Sequence, residues 1–186
     1  MWVVGSLAAL LLAGLAGPAG PEPPTAPRYA RARVEVAAPA VTLVAADGAR
    51  VRLAEELARP GPVAVQFVFT TCTTICPVMT GTLAEVRRRH PELRGLTLSI
   101  DPEHDTTERL RAYAARYGAG RGWRFLTGRP QDLLAVQDAF DVYRGDKMRH
   151  EPVTFLRGAP GGRWLRLDGF PSAAELAAEI AALGGR

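Results

Sequence analysis

The chain has 186 residues, of which 47% are hydrophobic and 23% charged, a composition typical of a globular protein with one core. Its net charge of +4 comes almost wholly from arginines, since Lys147 is the only lysine. The arginines are scattered apart from the triplet Arg87-Arg88-Arg89, and nucleic-acid-binding surfaces need a concentrated basic patch. We therefore expect no nucleic acid partner.

The N-terminus differs in composition from the rest of the chain. Residues 2–16 are apolar or small, and no charged side chain precedes Glu22. This run is shorter than the roughly 20 residues of a membrane span and is typical of an export signal. We predict a signal peptide or membrane anchor over 1–20, a Pro/Ala-rich linker over 21–40 and a domain over 41–186. We expect an exported protein, periplasmic or on the outer face of the cytoplasmic membrane, that contacts the membrane only through its N-terminal segment.

The elements of the domain follow in chain order. Residues 41–53 form two short strands around an Asp47-Gly48 turn, which predicts a β-hairpin. Strands and helices then alternate: the predicted strands cover 62–70, 96–100, 123–126, 153–156 and 164–167, and the predicted helices cover 77–89, 105–118, 131–140 and 172–183. This pattern predicts an α/β sandwich in which helices flank a mixed central sheet, with an N-terminal β-hairpin.

Two predicted helices begin with the spacing of a capping box. Asp105 stands three residues before Glu108, and Ser172 stands three residues before Glu175. In such a box each side chain accepts a hydrogen bond from the other residue's backbone amide. The spacing predicts that Asp105 and Ser172 cap their helices.

The two cysteines of the chain, Cys72 and Cys76, lie between a predicted strand and a predicted helix whose first turn holds Pro77. A helix N-terminus stabilises a thiolate, the form that attacks disulfides and binds metals. Four residues of separation allow both sulfurs to bind one soft ion or to form a disulfide. Two thiolates leave copper or zinc short of ligands, so a metal site would need a third donor from elsewhere in the chain.

Three histidines are candidates for that donor. His90 ends an arginine-rich helix and is expected to be solvated, and His104 lies in an acidic loop where surface exposure is expected. His150 stands two residues before Pro152, at the start of a predicted strand, so the chain order can bring it beside the cysteine loop. The spacing alone leaves the role of His150 open.

Three segments of the chain, 67–79, 99–106 and 148–156, resemble the Sco (SenC) family. These proteins are thioredoxin-fold copper chaperones of cytochrome c oxidase assembly. The resemblance covers residues 41 to the C-terminus, with the motifs in the family's order. It implies a thioredoxin-like sandwich and a non-enzymatic chaperone that delivers copper to cytochrome c oxidase subunit II or another respiratory copper protein.

The resemblance also implies a ligand set. Cys72 and Cys76 would be the thiolate ligands and His150 the imidazole ligand of one copper ion, as copper(I) or copper(II). Asp101 and Asp105 match the family's acidic loop, where we interpret Asp105 first as a helix cap and second as a group near the metal. Pro152 stands where thioredoxin-like folds commonly carry a cis-proline, an isomer that the sequence leaves open.

A thiol–disulfide oxidoreductase of the same fold is the main alternative. It would reduce cysteines of a copper-protein partner, with Cys72 attacking, Cys76 resolving and His150 tuning the thiolate.

Three further classes fit the residues poorly. A peroxiredoxin would need Pro and Thr where Val65 and Phe69 stand, and a binuclear copper site would need His in place of Thr80. A purely structural disulfide across so short a loop would remove little entropy from the unfolded chain.

Overall fold

An eight-stranded mixed sheet forms the centre of the computed structural model, which describes residues 28–184; the predicted signal or anchor over 1–20 lies outside the described residues. The strands are β1 (Tyr29–Val34), β2 (Thr42–Ala45), β3 (Arg50–Arg52), β4 (Val63–Val68), β5 (Arg94–Ser99), β6 (Trp123–Thr127), β7 (Val153–Arg157) and β8 (Trp164–Gly169). The helices are α1 (Leu53–Leu57), α2 (Ile75–Arg89), α3 (Thr107–Arg116), α4 (Pro130–Ala139) and α5 (Ala173–Gly184), with a 3₁₀ turn at Lys147–Arg149. Among residues 28–184 no helix is long and apolar enough to cross a membrane.

The central strands of the sheet are buried on both faces by helices. Every residue of β4 is buried, and its side chains alternate between two apolar clusters because successive residues of a strand point to opposite faces. Val65 and Phe67 belong to one cluster with residues of α1 and α4. Ala64 and Val68 belong to the other, with residues of α2, α3 and α5. The predicted sandwich with a mixed central sheet is confirmed.

The strand directions bring the cysteine loop, the acidic loop and the segment of His150 to the same end of the central strands. The strand order is β1-β8-β7-β4-β5-β6-β2-β3, in which β4 pairs with β5 in parallel and with β7 antiparallel. The carboxyl ends of β4 and β5 therefore lie beside the amino end of β7. Cys72 follows β4, Asp101 follows β5 and His150 precedes β7.

The hairpin of β2 and β3 is confirmed, but the linker predicted over 21–40 is wrong for Tyr29–Val34. These residues form β1, which pairs antiparallel with β8 along its whole length. The Tyr29 hydroxyl and the Arg31 guanidinium both donate to the Glu179 carboxylate of α5. This stretch therefore belongs to the domain, as an edge strand tied to the last helix.

The two predicted capping boxes have different outcomes. In α5 the Ser172 amide donates to the Glu175 carboxylate and the Glu175 amide donates to the Ser172 hydroxyl, as predicted. In α3 the prediction is wrong, because the cap is Thr106, whose hydroxyl accepts from the Arg109 amide. The Asp105 carboxylate accepts bonds from another part of the chain instead.

Other local differences are small. Helix α2 begins at Ile75, two residues before its predicted start. No cis peptide bond occurs among residues 28–184, so the bond before Pro152 is trans.

Gly95 of β5 is required by the ring that packs over it. A Cβ atom at this position would lie 2.4 Å from Cδ1 of Trp123, a buried indole that donates to the Thr97 hydroxyl. We expect Gly95→Ala to lower the free energy of unfolding by about 1–3 kcal/mol, the usual cost of overpacking a core. Urea denaturation measures this change.

Gly81→Ala is the matched control. Gly81 lies inside α2, and a Cβ atom there would meet nothing within 4 Å. Because alanine is preferred over glycine in helices by about 1 kcal/mol, this variant should be as stable as the parent or more so. Equal stability of the two variants would contradict the assigned packing of Trp123 on β5.

Candidate metal and thiol site

The two cysteines lie at the junction of β4 and α2. The Cys72 amide donates to the Phe69 carbonyl (3.1 Å), which closes a turn directly after β4. Cys76 is the second residue of α2, and its amide donates to Cys72 Sγ at 3.4 Å. Thr74, at the N-cap position, makes no capping bond with its side chain. The Cys72 sulfur therefore satisfies a free amide of the helix, a role usually taken by an oxygen.

The two thiols differ in how readily they ionise. Burial opposes ionisation of Cys72, but hydrogen bonds from Cys76 and Thr74 outweigh it and lower the pKa of the Cys72 thiol. Burial is the largest cause that raises the pKa of the Cys76 thiol, and the neighbouring Cys72 sulfur adds to it. Cys72 is therefore the thiol of the pair that ionises more readily, and Cys76 the one that holds its proton more strongly.

Asp105 fixes the loop that carries Cys72. Its carboxylate is fully buried and accepts from the Thr70 amide (3.1 Å), the Thr70 hydroxyl (2.6 Å) and the Ser99 hydroxyl (2.6 Å). A buried carboxylate is stable only when donors replace its water, and here the donors come from β5 and from the loop after β4. Sequence reasoning missed this role because the capping-box spacing offered a local partner instead.

Asp101 holds a second set of contacts on the same acidic loop. Lys147 Nζ donates to Asp101 Oδ2 at 2.5 Å, and His104 Nδ1 lies 3.0 Å from Asp101 Oδ1. Burial opposes ionisation of Asp101, but the hydrogen bonds from Lys147 and His104 outweigh it and lower the pKa of this carboxyl. The expected surface position of His104 is only partly right, since its ring is half-exposed but contacts the buried Asp101.

Lys147 is a site residue that the sequence reasoning missed. The available signal was its identity as the sole lysine, three residues before His150. Its partner Asp101 lies 46 residues away, so only the tertiary structure shows the pair.

His150 lies against β4, upstream of the cysteines. Its Nε2 atom is 2.9 Å from the Phe67 carbonyl oxygen. Because a carbonyl only accepts, Nε2 carries the hydrogen. Burial, opposed in part by this hydrogen bond, lowers the pKa of the imidazole, so the ring is neutral at pH 7 and its Nδ1 atom keeps a lone pair.

The structure brings some of the predicted ligands together and keeps one apart. Cys72 and Cys76 are in contact, whereas His150 is bound to the Phe67 carbonyl. Within the described part of the chain, no three His, Cys, Asp or Glu side chains are arranged to hold a metal ion. The donor types nevertheless suit copper, since soft thiolates and a neutral imidazole are its preferred ligands. His90 is away from the site, beside Glu92.

The surroundings of His150 are open and partly apolar. A cavity of about 420 Å³ reaches His150 between the acidic loop, α4 and the segment before β7. The side chains of Val78, two residues after Cys76 in the chain, and of Met148, two residues before His150, are 52% and 73% exposed.

Comparison with known proteins identifies the family. The SCO1/SenC family model matches residues 33–184. The SCO1 protein homolog of Bacillus subtilis is 37% identical over 112 residues, which cover 54% of this chain and 58% of that relative, less than two thirds of its length.

Two solved structures share the fold. BsSco, a member of the Sco family of cytochrome c oxidase assembly proteins with a disulfide switch, is 24% identical with a TM-score of 0.67, covering 82% of this chain and 95% of that one. Arabidopsis thaliana ScoI with copper bound is 22% identical with a TM-score of 0.63, covering 76% and 93%. The predicted thioredoxin-like α/β fold is thus confirmed. Because the family model spans nearly all of the described domain, the chain belongs to the SCO1/SenC family.

Proposed function

We propose that this protein is a copper chaperone that binds one copper ion through Cys72, Cys76 and His150 and delivers it to another copper protein. The observation that carries the proposal is the contact between Cys72 Sγ and the Cys76 amide at the start of α2, which presents two sulfurs at one end of a helix. Membership of the SCO1/SenC family and the copper-bound state of Arabidopsis ScoI support the choice of copper.

The proposed donor set suits both oxidation states of copper. Copper(I) accepts two soft thiolates with low coordination, whereas copper(II) favours the addition of a nitrogen ligand. His150 is neutral, as a ligand must be, and its Nδ1 atom is free of the bond to Phe67. Binding requires the Cys76 thiol to lose its proton.

We further propose where the ion is delivered and where the protein acts. BsSco belongs to a family of cytochrome c oxidase assembly proteins, which supports cytochrome c oxidase subunit II or another respiratory copper protein as the recipient. The apolar run at residues 2–16 supports export to the periplasm or to the outer face of the cytoplasmic membrane.

Copper titration of single variants tests the ligand set. Cys72→Ser and Cys76→Ser should lose stoichiometric copper(I) binding, because a hydroxyl is a poor ligand for a soft ion. His150→Ala should keep copper(I) but bind copper(II) more than about tenfold more weakly, a loss of at least ~1.4 kcal/mol. Competition with chelators of known affinity, with reductant for copper(I), measures each change.

His90→Ala is the control for the loss of an imidazole. Among the described residues, the one hydrogen bond of the His90 side chain is to the nearby Glu92 carboxylate, so this variant should bind both ions as the parent does. Unchanged copper binding in all three ligand variants would contradict the assignment of the site.

The different ionisation of the two thiols favours one second candidate, a thiol–disulfide oxidoreductase. In this reaction the Cys72 thiolate attacks a partner disulfide, forms a mixed disulfide and releases one partner thiolate. Cys76 then loses its proton and attacks the Cys72 sulfur, which closes the Cys72–Cys76 disulfide and frees the second partner thiolate. Two electrons pass to the partner. The disulfide switch of BsSco supports this candidate.

Alkylation rates test the inequality of the thiols. With the reduced protein at neutral pH, iodoacetamide should modify Cys72 in Cys76→Ser at least about tenfold faster than it modifies Cys76 in Cys72→Ser. The reason is that the lowered pKa of Cys72 gives it the larger thiolate fraction. The Cys72 rate should level off at a lower pH than the Cys76 rate.

The same variants in concentrated urea provide the control. Unfolding removes the helix amides and the burial, so both cysteines should then react alike. Equal rates in the folded protein would exclude the proposed division into an attacking and a resolving thiol.

A further inference from the structure

We propose that Lys147 and Asp101 form a positioning pair that holds His150 ready to bind copper(II); this inference rests on the proposed copper function. The Lys147 ammonium is 2.5 Å from the Asp101 carboxylate and 5.8 Å from the ring centroid of Phe69. Asp101 is buried and Lys147 is two-thirds covered. The pair is therefore largely shielded from solvent. An ion pair in such a place is stable only when its geometry is good, because both charges have lost water.

The pair anchors a segment that has little regular structure. Residues 141–152 join α4 to β7 and contain one 3₁₀ turn, Lys147–Arg149, which Asp146 caps by accepting from the Met148 amide. Arg144 binds Glu151 inside the same segment. Among the described residues, the bond from Lys147 to Asp101 is the only hydrogen bond or ion pair that links residues 143–149 to a residue outside the segment 141–152.

Asp101 is itself fixed to the loop that carries the thiols. Its amide donates to the Ser99 hydroxyl (3.0 Å), and that hydroxyl donates to Asp105 (2.6 Å). Asp105 in turn accepts from Thr70, two residues before Cys72. A continuous path of hydrogen bonds therefore runs from Lys147 to the cysteine loop, and the acidic loop sets the positions of both ligand-bearing segments.

The position of His150 follows from this anchor. Its amide donates to the Lys147 carbonyl, and its ring donates to the Phe67 carbonyl of β4. Without the ion pair, the 3₁₀ turn would sample more conformations, and ordering it on metal binding would cost additional entropy. Copper(II), which favours the imidazole, should bind more weakly, whereas copper(I), held by two thiolates, should not.

The test removes both charges at once, because Lys147→Met alone would leave a buried carboxylate able to bind copper(II). In Asp101→Asn/Lys147→Met we expect copper(II) affinity to fall about tenfold, the lower end of the effect of residues that orient metal ligands. Copper(I) stoichiometry should stay at one ion. Without metal, the ¹⁵N imidazole spectrum of His150 should change from the Nε2-protonated tautomer to a mixture of tautomers.

Arg149→Met is the matched control, since it removes an exposed cation from the same 3₁₀ turn and should change none of these measurements. Asp101→Ala, which removes the carboxylate but keeps the bond from the backbone amide of residue 101 to Ser99, decides by the same criteria if the double variant does not fold. A variant that retains the parent's tautomer and copper(II) affinity would overturn the proposal, as would an equal loss in Arg149→Met.

A failure of the proposed function would look different. If the parent protein bound no copper, the copper assignment would fall, and this inference with it. If His150→Ala bound copper(II) as the parent does, the ligand role of His150 would fall, and this inference would lose its basis. If the parent and His150→Ala behave as proposed but Asp101→Asn/Lys147→Met has the copper(II) affinity and the His150 tautomer of the parent, only the positioning role of Lys147 and Asp101 is wrong.

Discussion

The buried carboxylate of Asp105 is the constraint on which the rest of the site depends. It has no access to solvent, so it must receive its hydrogen bonds from the protein. Thr70 and Ser99 supply them, one from the loop after β4 and one from the end of β5. Because these donors come from neighbouring parallel strands, the carboxylate fixes the two loops relative to each other. The position of Cys72 follows, because its amide donates to the Phe69 carbonyl and so closes the turn that contains Thr70.

The sequence predicted the central elements well because burial leaves a local pattern. Strand β4 is covered on both faces and is apolar except at Gln66, so it can be recognised without its neighbours. Strand β5 is also buried throughout and has leucines at alternate positions, Leu96 and Leu98. Strand β1 lacks this signal. Most of its residues are exposed, and its place is set by pairing with β8 and by contacts of Tyr29 and Arg31 with Glu179. Edge strands held by distant partners are hard to recognise from sequence.

The candidate site shows the same division between local and long-range information. The cysteines could be assigned to a strand–helix junction from local pattern, and the family resemblance added His150. The role of Asp105 could not be predicted, because spacing to Glu108 suggested a local bond whereas the buried loop required a distant one. Thr106 caps helix α3 instead of Asp105. Likewise, the bond between Lys147 and Asp101 joins two loops far apart in sequence, so it could not be predicted from the residues around either one.

The unequal thiols show why the proposed copper delivery and the proposed disulfide exchange are compatible on one scaffold but exclude each other at any moment. Both reactions begin from the Cys72 thiolate, which the Cys76 amide stabilises. Both then require the buried Cys76 to release its proton, so that its sulfur can bind the metal or attack the mixed disulfide. A disulfide leaves no thiolate for copper, and bound copper leaves no thiolate free to attack. Deprotonation of Cys76 is therefore a step that the two proposed functions share, and they diverge after it, when the sulfur binds copper or closes the disulfide. His150 favours metal binding, because its imidazole would add a third donor.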